Sequence, residues 1–302
     1  MFSFRTKLVL AYIAIYFVWG STFLFVKIAL GSFPPFILSA LRFIIGGTAL
    51  LLFSIITKKS FPEKSELKKH SILGIVIFIG GVVAVVWAQQ HISSSMASAI
   101  ITTPFWFVVL DKSQWKFYFK NPLIIGGLVL GLVGVILLMT EKTAKVSNAS
   151  DGLQFLSILV MISGSLLWVL GSLYLKTHPS SSSVYPNTSI QLLSAGVFCL
   201  LLNFASNNSF DLSHATFEGW GAVIYLAIVS TTITFLAFIW LIKVQTPAIV
   251  STYSYVNPIV ATFLGWTFGQ EHISKLQLVA LGVILCGLLL VNMGKFSKMK
   301  QI

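Results

Sequence analysis

Charge is what this sequence is shortest of. Only 9% of its 302 residues are Asp, Glu, Lys or Arg, against about 25% in a typical soluble domain. A soluble chain of this length hides its apolar residues behind a charged skin, and with 56% of the residues hydrophobic so few charges cannot supply one. Acids are scarcer still, 8 against 20 basic residues. Glu63, Glu66, Asp111, Glu141, Asp151, Asp211, Glu218 and Glu271 all fall between apolar runs or at their ends, as do the histidines. That placement offers no buried proton relay, no paired acidic motif for magnesium and a diphosphate, and no His, Asp or Ser constellation for hydrolysis inside a membrane. The reading is therefore of a non-enzyme that needs no cofactor. Cysteine is nearly absent too. Cys199 and Cys286 sit inside apolar runs, far from any partner at metal-ligand spacing, which excludes a disulfide framework and a zinc site and leaves both as buried small hydrophobes.

What the sequence has instead is long apolar runs, the mark of an all-α integral membrane protein. No charge stands between Lys243 and Glu271, a longer gap than the about 20 residues a helix needs to cross a bilayer. Runs bounded by charge, Gly/Pro or Ser/Asn clusters predict ten spans, near 8–27, 35–57, 71–91, 94–110, 122–140, 153–175, 185–206, 217–242, 248–269 and 275–293. The first follows Arg5 and Lys7 and continues from Leu8 to Val26, too long for a signal-peptide core, so it reads as a membrane helix. "HISSS" alone separates the third and fourth spans, which predicts an antiparallel pair.

The net charge of +12 does not point to nucleic acid, because the lysines are scattered in short gaps between spans. It reports topology. With the N-terminus inside, most of the 20 basic residues fall in inner segments, while the outer loops hold only Lys142, Lys145 and Lys275. The positive-inside rule then puts both termini in the cytoplasm. Lys27 reads as a boundary lysine at an outer helix end, and Arg42 lies well inside the second span.

Five spans run outward and, after "EKTAKVSNASDG" at 141–152, five run back. An odd number per half makes an internal repeat an inverted one, with the halves at 1–143 and 144–302. Residues echo between them. Trp19 precedes Lys27 by eight positions as Trp168 precedes Lys176, and "SAIITTPFW" (98–106) matches "TYSYVNPIV" (252–260) in placing a polar residue before a mid-span proline.

Pro104 and Pro258 each remove a backbone hydrogen bond and free the carbonyl four residues earlier, that of Ile100 or Ser254. Freed carbonyls are tolerated at membrane depth where protein covers them or a wet cavity meets them. Candidate cavity residues are therefore Trp19 and Ser21 in the first span, Arg42 in the second, Trp87 in the third, and Thr102, Thr103 and Trp106 in the fourth. The later spans add Trp168, Thr231, Thr232, Thr234, Tyr253, Tyr255 and Asn257. Trp115 and Trp240 read as interface anchors. Polar residues occupy two sides of the ninth span, which predicts a helix with little apolar surface for lipid. Arg42 either snorkels to the outer interface or, facing the bundle, anchors a substrate carboxylate or loosened carbonyls.

"YFVWGSTFLFVKIA" in the first span, "LRF" (41–43), "STYSYVNPIVATFLGWTFGQE" through Glu271 and "LGVILCGLLLV" in the tenth resemble the ten-helix EamA-type permeases of the drug/metabolite transporter superfamily, in order along the chain. The first half departs from the pattern, since "FWFVVLD" stands where such proteins often carry Gly-Glu. The resemblance implies a five-plus-five inverted repeat in the bacterial cytoplasmic membrane, a central cavity, and export of amino acids or other small metabolites by alternating access. The partners expected are a small-molecule substrate and the lipid bilayer; the oligomeric state stays open. Two rival readings remain, an exchanger of phosphorylated or nucleotide-type solutes and a non-transporting scaffold or receptor.

The lysine bias makes a topological prediction. Single cysteines placed at Ser65 and Lys176 resist an impermeant thiol reagent added outside intact cells, and one at Ser147 reacts. Labelling at Ser65 from outside reverses the orientation.

Overall fold

The computed structural model describes residues 3–101, 106, 110, 115, 119–139, 150–206, 213, 215–245, 250–271 and 273–299. Among them there is no strand. The helices are α1 (Phe4–Leu30), α2 (Pro35–Ile56), α3 (Lys64–Ala88), α4 (Ser94–Ile100), α5 (Pro122–Met139), α6 (Asp151–Thr177), α7 (Val184–Ala205), α8 (Phe217–Val244), α9 (Tyr253–Thr267) and α10 (Lys275–Met299). Six of these, α1, α2, α3, α6, α7 and α8, are long and apolar enough to cross a membrane. Their outward faces carry large apolar side chains such as Phe53, Leu201 and Phe204, which only a lipid surround makes favourable. The chain is a multi-pass membrane protein.

Local chemistry sets several helix starts. Ser3, Ser93, Ser150 and Thr216 stand just before α1, α4, α6 and α8, and each hydroxyl accepts a hydrogen bond from a first-turn amide. Pro35 opens α2, where a missing amide hydrogen costs nothing. Three helices are widened into π-helical turns in mid-course: α1 at Ala14–Val18, α3 at Ile79–Val83 and α8 at Tyr225–Ile233. Such turns leave backbone groups loosely paired and cluster at functional sites.

The most extensive helix pairings are α5 with α10 and α2 with α7. Around them α1 packs on α8 and α9, α6 on α3 and α4, α2 on α8, and α7 on α3. Glycine permits the tightest approaches. A Cβ on Gly127 would lie 2.4 Å from the Gly287 carbonyl oxygen, and one on Gly287 would lie 2.6 Å from that of Gly127, so α5 and α10 meet backbone to backbone. Likewise a Cβ on Gly46 would fall 2.6 Å from Thr232 Oγ1 and 2.9 Å from the Ala227 carbonyl oxygen, which seats α2 directly on the widened turn of α8.

Three expectations need correction. Cys286 is exposed on α10, and only Cys199 is buried. α9 does present lipid with an apolar stripe, because Ile259, Phe263 and Trp266 recur at helical spacing and are all more than half exposed. α4 starts at Ser94, as its expected span does, and its described residues pack chiefly against α9 and α1. It ends at Ile100, with Ile101 extended, so the helix stops before Pro104, which lies outside the described residues.

Gly46→Val forces α2 off α8 and lowers stability by about 1–3 kcal/mol, the usual cost of overpacking. Gly282→Val, where a new Cβ meets nothing within 4 Å, serves as the control. Thermal unfolding of the two purified variants checks the contrast.

Candidate functional site

A cavity with about 90 Å³ open to the centres of water-sized molecules lies among α1, α2, α3, α6, α8 and α9. Its aromatic wall forms one connected cluster. The Trp19 ring meets Trp168 at 5.6 Å and Tyr253 at 5.0 Å between centroids, Trp168 meets Phe235 at 5.7 Å, and Phe235 meets Phe78 at 4.8 Å.

The polar wall is built on Arg42. Its side chain reaches from α2 into the bundle and the residue is only 3% exposed, so it does not snorkel to the interface. Its Nε donates to Thr231 Oγ1 and its Nη2 to Ser230 Oγ at 3.0 Å. Ser230 Oγ lies 2.7 Å from Thr22 Oγ1, and Thr22 Oγ1 donates to the Val18 carbonyl at 2.9 Å. A hydroxyl has one proton, so this chain has one direction: Arg42 donates to Ser230, Ser230 to Thr22, and Thr22 to α1's backbone. The widened turn of α8 makes it possible. Trp19 Nε1 donates to the Ser230 carbonyl at 3.2 Å, and the Thr232 and Thr234 hydroxyls satisfy the carbonyls five residues back, Ala227 and Val229, at 2.8 Å.

α9 supplies the third wall. Asn257 is 3% exposed, and the carbonyls around it assign its amide orientation: with the nitrogen facing them it donates to Tyr16 at 2.8 Å and reaches Ile15 and Tyr253 at 3.2 Å. Two of these belong to the π-helical turn of α1, so Asn257 satisfies backbone groups that the widened turn leaves available. Beside it, the Tyr16 hydroxyl meets Thr252 Oγ1 at 2.5 Å. Pro258 lies inside α9 one residue on.

One end of the bundle is latched where α1, α4 and the α9–α10 link meet. Lys27 Nζ donates to Glu271 Oε1 at 3.2 Å and to the Gly269 carbonyl at 2.5 Å. Glu271, with its side chain 7% exposed, also accepts from the Ser94 amide at 3.0 Å, at the start of α4. Gln270 takes a left-handed backbone, φ 53°, to turn Glu271 back over α9. Gly265 leaves room for it, since a Cβ there would sit 2.8 Å from Glu271 Oε2. Lys27 is thus an ion-pair partner, and Glu271 is a buried carboxylate despite its place in a link.

Of the expected site residues, Trp19, Arg42, Trp168, Tyr253, Asn257 and Thr231 line the cavity. Others do not. Ser21 bonds Tyr225 at 2.7 Å, Trp87 packs on His91 and Thr232 turns to its own helix. Trp106 donates to Ser165 Oγ at 2.9 Å, standing behind a lining residue. Thr102, Thr103 and the Tyr255 side chain lie outside the described residues. Sequence reasoning missed Thr22, Ser165 and Ser230. Thr22 falls one turn after Trp19 and Ser165 one turn before Trp168, a signal that the matched tryptophans carried.

A model of the EamA-like transporter family matches residues 6–140 and again 155–293. "Uncharacterized inner membrane transporter YedA" of Escherichia coli strain K12 is 30% identical over 296 residues, covering 95% of this chain and 90% of its own. "Uncharacterized transporter YoaV" of Bacillus subtilis is 23% identical over 97% of this chain and 99% of its own, and "Protein PecM" of Dickeya dadantii 25% over 94% and 92%. A crystal structure 19% identical superposes with a TM-score of 0.67 over 96% of this chain and 98% of that one, which shows a shared fold.

Asn257→Ala deletes a donor to buried carbonyls and costs about 1–3 kcal/mol. Asn257→Asp sets an acceptor against those carbonyls and lowers the melting temperature further. A melting temperature that falls from the unsubstituted protein to Asn257→Ala and again to Asn257→Asp checks this role; Asn257→Asp melting with the unsubstituted protein overturns it.

Proposed function

This chain belongs to the EamA-like transporter family, and from that premise we propose that it moves small organic metabolites, amino acids and their relatives among them, out across the bacterial cytoplasmic membrane. The observation that carries the reading is the cavity itself. A guanidinium, hydroxyls and aromatic rings meet there between helices of both halves of the chain, where a merely structural bundle would pack apolar side chains.

Alternating access between two inverted five-helix units, 1–143 and 144–302, is the mechanism proposed. The helix pairings support it: advancing every label by five exchanges α1 on α8 with α6 on α3, α1 on α9 with α6 on α4, and α2 on α8 with α7 on α3. The pairs α5 with α10 and α2 with α7 map onto themselves. The π-helical turns of α3 and α8 correspond in the same way, and Trp19 and Trp168 meet ring to ring across the cavity. In this scheme the Lys27–Glu271 latch holds one end closed and breaks when that end opens. The pair suits a gate because its Lys27 side, 42% exposed, can exchange its partners for water as that end opens. With Arg42 as the one charged residue among the described residues lining the cavity, phosphorylated solutes fit less well, since each phosphate asks for further cations.

Cysteines at Lys27 and Glu271, in a chain whose Cys199 and Cys286 are alanine, test the scheme. Bridging them with a reducible bifunctional thiol reagent stops vesicle flux of amino acids and their carboxylate relatives, and reduction restores it. Unchanged flux through the bridged protein removes the latch from the transport cycle.

A further inference from the structure

We propose that the cavity selects a solute with a single negative charge on an apolar body of aromatic-ring size, an organic monocarboxylate without an ammonium group. The proposal rests on the transport reading above and narrows its substrate class to the carboxylate relatives of amino acids, leaving the amino acids themselves out.

Charge is the first argument. Among the described residues lining the cavity Arg42 alone is charged, and no described carboxylate pairs with it. A buried, unpaired cation is costly, and an incoming anion removes that cost. A second negative charge on the solute would itself go unpaired. An ammonium on the solute would have to share a low-dielectric space with the guanidinium, with no lining carboxylate to offset it.

Hydrogen-bond direction is the second. Thr231 and Ser230 turn lone pairs toward Arg42, and the Ser230 and Thr22 protons run away from it to the α1 backbone. Arg42 engages Thr231 and Ser230 through Nε and Nη2, and no described residue bonds its Nη1; Trp168 Nε1 is buried without a partner among the described residues. Both uncommitted groups are donors, and an acceptor-only carboxylate answers donors. The third argument is the wall. Trp19, Phe78, Trp168, Phe235 and Tyr253 offer ring faces and edges to an apolar body.

Three probes share one phenyl ring and a short chain and differ in charge: 3-phenylpropionate, phenylalanine and 2-phenylethylamine. Binding to the purified full chain is read by ligand-induced thermal stabilisation, and flux is read in reconstituted vesicles. 3-Phenylpropionate binds about tenfold or more tightly than either of the others, Arg42→Gln erases the preference, and Arg42→Lys keeps part of it. Should Arg42→Gln not fold, the wild-type ranking and Arg42→Lys decide. Equal or tighter binding of phenylalanine or 2-phenylethylamine overturns the inference, whether or not flux occurs. Selective binding of 3-phenylpropionate with no flux of it upholds the inference and overturns the transport reading. Neither binding nor flux with all three overturns both.

Discussion

A guanidinium that meets no carboxylate among the described residues, held in the middle of an apolar bundle, is the constraint from which the rest of this structure follows. Burying such a charge needs acceptors that themselves need no water. Ser230 and Thr231 provide them, and they can do so because α8 is widened over Tyr225–Ile233. That widening leaves carbonyls to be satisfied, a task shared by Thr232, Thr234 and Trp19. The close seat of α2 on α8 at Gly46, one turn beyond Arg42, brings the cation within reach of its acceptors. One charge thus accounts for a glycine, a distorted helix and the run of hydroxyl residues along it.

The Asn257 bracket and the Glu271 latch solve the same problem at other places. Each is a polar side chain from the α9 region that meets an opening in another helix, the widened turn of α1 for Asn257 and the first-turn amides of α4 for Glu271. Both contacts cross from the second half of the chain to the first. Polar groups therefore join the halves where apolar packing would let them slide freely.

Helix positions were legible in the sequence because lipid imposes a length and an apolarity that leave few alternatives; α1, α2, α6, α7 and α8 fall within a few residues of their expected spans. α3 begins earlier, at Lys64, since its charged first turns form helix outside the apolar run. The site was legible where a residue is rare for its setting. An arginine in mid-span, matched tryptophans and an Asn-Pro pair all mark the cavity. Hydroxyls were not, because serine and threonine can bond their own helix as readily as line a cavity, and Ser21, Thr22 and Thr232 cannot be told apart by type. The π-helical turns hid the phase as well, since each adds a residue to the turn and changes which side chains share a face.

The one-way run of protons from Arg42 through Ser230 to Thr22 has a consequence for the energy of the cell. A membrane that stores a proton gradient tolerates water-filled cavities only if they do not relay protons. A fixed positive charge raises the barrier to hydronium and to other cations. Hydroxyls whose protons are committed to the α1 backbone must all reverse before they could pass a second proton along. A cavity walled in this way, were it to fill with water from one side, would still insulate the bilayer against leak.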